Sequence, residues 1–141
     1  MSFASSSSAQ TYADVGIETG VAAADPHRLI LMLFDGALLA IAKARNAMQQ
    51  GQIAEKGHAI SRAIDIVTNG LRASLHFSED DSLAVRLAAL YDYMAARLLH
   101  ANLHNDQAAL AEVGRLLGEI KAAWEEIADD PAVASRNKVA A

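Results

Sequence analysis

Glu55 and His58 stand three residues apart, the local form of the carboxylate-bridged di-metal motif that four-helix bundles can host. Such a centre needs a second Glu-x-x-His and further inward carboxylates, and the sequence supplies neither. On a helical wheel the pair also points away from the neighbouring Ile/Leu stripe. His100 and His104, spaced i, i+4, could share one metal ion, but no glutamate or third histidine accompanies them. They read as solvated histidines near a helix C-terminus, where a protonated imidazole suits the macrodipole. A lone His58 could serve a phosphotransfer bundle, yet no basic neighbours follow it closely. Ser74, Ser78 and Ser82 have no evident base partner, and no Gly-rich phosphate loop is present. With no cysteine in the chain, disulfides, thiol nucleophiles and thiolate metal sites are all excluded. The residues therefore predict a protein that is not an enzyme and uses no cofactor. A metal-dependent bundle enzyme and a self-associating structural bundle are the alternatives.

The elements that would position these residues are legible from composition and caps. At 141 residues, 52% hydrophobic and 5% aromatic, the chain is one domain's worth of sequence. A net charge of −5 with scattered Lys and Arg argues against a nucleic-acid footprint. MSFASSSSAQTYAD lacks the positive start and apolar stretch of a signal peptide, and the longest strictly apolar run, Leu29 to Phe34, is far short of the roughly 20 residues of a membrane span. A soluble, cytoplasmic protein without direct membrane insertion is expected.

Pro26 and Pro131 bracket a proline-free stretch rich in Ala, Leu and Ile. Residues 1–11 carry a Ser run with nothing to bury and are expected to be disordered, and residues 129–141 to form a flexible tail. Residues 12–24, with Tyr12, Val15 and Ile17 able to pack, are expected to form a short helical arm. Within 25–128 four helices are expected. Asp25-Pro26 supplies an N-cap and a proline at the first helical position, and the helix runs to about Gln49 before Gly51. The second covers about 53–75. The third starts after Asp81 or Ser82 and reaches about Asn102, and the fourth, capped by Asn105-Asp106, ends near Ala128. Four helices of about 20 residues on short links predict an all-α, antiparallel four-helix bundle.

Two of the helices show more apolar surface than a simple bundle uses. On the second, Ile53, Gly57, Ile60, Ile64, Val67, Leu71 and Leu75 share a narrow arc at 100° per residue and form the expected core stripe. A separate stripe of Ala59, Ala63, Ile66, Gly70 and Ala73 is expected to lie outside the core. On the third, Leu83, Leu87, Leu90, Tyr91, Met94 and Leu98 form the core face, while Val85, Ala89, Ala96, Leu99 and Leu103 lie opposite with Tyr93 at their border. On the first, Met32 and Leu39 fall outside the core arc, and Trp124 aligns with the Leu117 and Ile120 stripe of the fourth. Surplus apolar faces on a soluble protein predict a groove for an amphipathic partner, covered in part by the arm or by self-association.

Several blocks, taken in order, closely resemble the flagellar secretion chaperones of the FliS family: YADVGIET, DPHRLILMLFDGAL, KGHAISRAIDIVTNGL, LYDYMAARLLHANLHND and EVGRLLGEIKAAWEEI. The resemblance spans Tyr12 to Ile127. It implies an antiparallel helical bundle that holds the disordered C-terminal segment of flagellin, prevents premature polymerisation and hands the client to the cytosolic domain of the flagellar type III export gate. A homodimer of the free protein is also compatible with it. Wheel and resemblance together nominate Ala63, Ile66, Tyr93, Leu99, Asn102 and Leu103 for the flagellin-binding groove. The resemblance assigns Tyr12, Val15 and Ile17 of the arm to covering that groove or docking to the gate.

Overall fold

A computed structural model of the chain describes residues 25–75 and 81–128; the expected arm and both terminal segments lie outside the described residues. Helix α1 (Pro26–Gln49) begins where Asp25, in extended backbone, accepts the Arg28 amide on its side chain at 2.7 Å. It stops because Gly51 takes a left-handed φ of 69°, and the Gln52 amide returns to the Ala47 carbonyl at 2.9 Å. Helix α2 (Ile53–Asp65) runs directly into a π-helical segment, Ile66–Arg72. Helix α3 (Ser82–His104) is capped by Asp81, whose carboxylate accepts the Ala84 amide at 3.0 Å. Asn105, left-handed at φ 50°, ψ 46°, terminates it. Asp106 then accepts the Ala109 amide at 3.1 Å and starts α4 (Gln107–Ala128).

α1 and α3 each pack between α2 and α4, giving a square bundle. Contacts at both ends fix the antiparallel sense. His27 at the start of α1 meets Trp124 near the end of α4, and Gln107 at the start of α4 donates to the Arg45 carbonyl near the end of α1 at 2.9 Å. The His27–Trp124 clasp is reciprocal: the imidazole Nε2–H donates to the Trp124 carbonyl at 2.6 Å, the indole donates to the His27 carbonyl at 3.1 Å, and the rings stack 4.7 Å apart. With Trp124 accepting only through its carbonyl, the proton on His27 must sit on Nε2.

The interior is built from Phe34, Ala37 and Ile41 of α1, Ile60, Ala63, Ile66, Val67 and Leu71 of the second strand of the bundle, Tyr91, Met94 and Leu98 of α3, and Leu110, Val113 and Leu117 of α4. Tyr91 belongs to this core, and burial pushes its hydroxyl up to about 12. Trp124 is half-buried and packs on the core's edge.

The two stripes expected on α2 are not separate. Ala63 and Ile66, expected on an outward binding face, are 0% and 1% exposed. The wheel divides what is one broad inward arc, because in a square bundle this helix packs against α1 and α3 at once and buries more than a narrow stripe. Ile66, Val67, Gly70 and Leu71 continue that arc inward through the π segment. Ile66 packs on α1 and not on an outside partner: a Cβ added at Gly36 would lie 3.3 Å from the Ile66 Cδ1. Ile53 and Leu83, expected in the core, are 77% and 65% exposed, because each sits at the very start of its helix and overhangs the packed layers.

These placements predict that Ala63→Glu destabilises the bundle by at least about 3 kcal/mol, since the new carboxylate would be buried without a partner. Thermal unfolding followed by circular dichroism should show a midpoint lowered by well over ten degrees. A midpoint close to that of the unchanged protein would place Ala63 outside the core after all.

Candidate functional site

The apolar surface left uncovered among the described residues is concentrated on α3. Its inward side is consumed by Leu87, Tyr91, Met94 and Leu98, while Val85, Leu99 and Leu103 are each more than half exposed on the opposite side, with Ala89 and Ala96 exposed between them. Surfaces of this kind usually mark interaction sites. Leu39 of α1 is exposed as well, above a shallow groove between α1 and α2 of about 500 Å³ that Gly36, Ala40, Lys43 and Ala59 help to line. Glu55 and His58 stand on its rim, both exposed.

Polar links to the flanking helices hold the α3 face in place. Towards α4, the Tyr93 hydroxyl donates to Glu112 at 2.6 Å and Arg97 donates to the other oxygen of the same carboxylate at 2.8 Å. His100 and Arg97 both approach Asp106, at 3.2 and 3.9 Å. The Tyr93 hydroxyl and then Arg97 hold the Glu112 carboxyl below its ordinary value; the Ala109 amide does the same for Asp106. The Tyr93 proton is correspondingly harder to remove. Towards α2, Arg72 closes a two-point contact on Asp92, at 2.7 and 3.3 Å. Buried Lys56 donates to the Asn102 carbonyl at 3.0 Å and to the Asn105 side chain at 2.6 Å. Its ammonium thereby satisfies one carbonyl that the end of α3 leaves open, at the negative pole of the helix, and ties down the side chain of the capping Asn105.

Of the nominated binding residues, the structure brings Tyr93, Leu99 and Leu103 to one side of α3, Tyr93 at its α4 border and 44% exposed. Asn102 is half-buried and engaged with Lys56 through its carbonyl. Ala63 and Ile66 lie in the core and do not join them. Tyr12, Val15 and Ile17 lie outside the described residues. The wheel overlooked Lys56, although its place three residues after Ile53 and four before Ile60 was a signal that a charged head had to find a partner at the bundle's end. Among the described residues no three His, Asp or Glu side chains converge as a metal site, and no helix is long and apolar enough to cross a membrane.

A helical bundle that turns an apolar helix face outward, with polar side chains spent on bracing that face, is in class a binding protein. The chain belongs to the FliS family: the model of the flagellar protein FliS matches residues 8–131. The flagellar secretion chaperone FliS of Salmonella typhimurium is 48% identical over 118 residues, 84% of this chain and 87% of the relative. Its namesake in Escherichia coli is 46% identical over 83% of this chain and 86% of the relative, and that of Bacillus subtilis 30% over 77% and 80%. The family's role is that of a chaperone and not of an enzyme.

Two outcomes follow from the bracing. Lys56→Met keeps the apolar stem but removes the donor, and should cost about 1.5–3 kcal/mol, with faster amide exchange confined to the last turn of α3. Unchanged protection there would mean that Asn105 alone terminates the helix. Glu112 and Asp106 ionise more readily in the folded chain than in the unfolded one. Their stabilisation is complete above their ordinary carboxyl values, near 4.5 and 3.8, and is lost as pH falls through the lower folded values. An acid titration of Glu112→Gln should therefore show a shallower loss of stability below pH 4.5 than the unchanged protein.

Proposed function

We propose that this chain holds the disordered C-terminal segment of flagellin in the cytoplasm, prevents its premature polymerisation and delivers it to the cytosolic domain of the flagellar export gate. Membership of the FliS family supports the reading, and the observation that carries it to particular residues is the exposed face of Val85, Leu99 and Leu103 on α3. A disordered segment that orders into a helix against such a face loses conformational entropy. Each buried Leu or Val anchor returns roughly 1.5–3 kcal/mol, so a few anchors offset that cost. The guest site comprises Leu99 and Leu103, with Val85 extending it and Tyr93 and Asn102 at its edges. Ala63 and Ile66 lie in the core and do not line it. Tyr12, Val15 and Ile17 act in the arm, as a lid on the groove and as the element that docks to the gate. Self-pairing of the same face would give a homodimer that the guest dissolves.

Calorimetry with flagellin and with flagellin lacking its last few tens of residues tests the proposal. The intact client should bind and the truncated one should not. Leu99→Glu and Leu103→Glu in this chain should each weaken binding at least about tenfold, or roughly 1.4 kcal/mol, while leaving the thermal midpoint within a few degrees. Full affinity in the double variant would refute the assigned face.

A further inference from the structure

α3 is periodic on both of its sides. Its inward residues Leu87, Tyr91, Met94, Leu98 and Ala101 alternate in spacings of four and three, and so do Val85, Ala89, Asp92, Ala96, Leu99 and Leu103 on the outside. All six outward residues are exposed. Alternating fours and threes average the 3.5-residue repeat of a coiled-coil seam, which a partner helix meets knobs-into-holes at a shallow angle. Val85, Leu99 and Leu103 offer knobs, and Ala89 and Ala96 leave hollows for the partner's larger side chains. Asp92 interrupts this seam at its middle, where an apolar residue would pack best.

Asp92 is not idle there. Arg72, from the end of the π segment, contacts both of its oxygens, yet the Asp92 side chain remains 59% exposed. A carboxylate offers about four lone-pair sites, so each oxygen retains capacity to accept from a second helix. Because Arg72 already balances the charge, covering the pair costs far less than covering a lone carboxylate. The remaining acceptor capacity still has to be met once water is excluded.

We propose that Asp92, braced by Arg72, is the specificity-determining residue of this face: it selects a docking helix that is apolar along its seam except for one hydrogen-bond donor opposite Asp92, and thereby sets that helix's register. The proposal rests on the reading of α3 as the guest face. A single polar seam residue is known to fix register at some cost in stability. A helix with leucine at the facing position would strand the carboxylate, and one with glutamate would repel it.

The test uses the full-length chain and two designed heptad peptides, Leu-rich along the seam and differing only in a central Asn or Leu, with the flagellin C-terminal segment as a third probe. The unchanged protein should bind the Asn peptide at least about fivefold more tightly than the Leu peptide, and Asp92→Leu should reverse that order. Asp92→Asn, which keeps an acceptor, should retain part of the preference. Thermal unfolding checks that both variants keep their fold, as expected for an exposed position. An equal Asn/Leu ratio in the unchanged protein and in Asp92→Leu overturns the proposal, as does failure of both designed peptides to bind. If the ratio reverses while the flagellin segment does not bind, the specificity role stands and the flagellin reading falls. If flagellin binds and the ratio stays equal, the reverse holds.

Discussion

Ile66 pressed against Gly36 is the contact on which the arrangement of faces depends. With its Cδ1 3.3 Å from where a Cβ at position 36 would lie, the isoleucine packs closely on the bare glycine and would have to give way slightly to a side chain there. Ala63 and Gly70, small residues that could otherwise have faced a partner, are buried as well. Once α2 has spent its apolar surface internally, the surplus is left mainly on α3.

That surplus is held by polar contacts at its edges. Glu112 and Asp106 of the α4 side, and Arg72 and Lys56 of the α2 side, each reach a residue of α3 or its C-terminal cap. Individually, the exposed ion pairs among them contribute little to stability, whereas buried Lys56 contributes more. Their common effect is geometric: they fix the rotation of α3, so that Leu99 and Leu103 point to solvent and Leu98 and Met94 to the core. A chaperone needs such an arrangement, since a face left free to rotate would bury its own anchors and lose its guest.

The helix limits were legible because they rest on local chemistry. Asp25-Pro26, Gly51, Asp81 and Asp106 are each read within a few residues of the boundary they set and act where expected, whereas Asn105, expected to start the fourth helix, ends the third. The double character of α3 was also legible, since a regular helix obeys a single angular step from Ser82 to His104. The small-residue stripe of Ala63 and Ile66 was misread because a helix with two packed neighbours buries a broad arc, and neither residue shows on its own that a second neighbour covers it. The ends of helices deceived the wheel as well: Ile53 and Leu83 have the right angle but no neighbour at their height. Contacts between remote positions, such as His27 with Trp124 and Lys56 with Asn102, lie 97 and 46 residues apart and could not be paired without the fold.

The central claim is that the outward side of α3, and not the small-residue stripe of α2, receives the guest. Methyl-resolved NMR with Ile, Leu and Val labelling, titrated with the flagellin C-terminal segment, addresses it directly. Val85, Leu99 and Leu103 should shift strongly, while Ile60, Ile66, Val67 and Leu110 keep their positions because they stay buried. Large shifts at Ile66 and Val67 with Leu99 and Leu103 silent would contradict it.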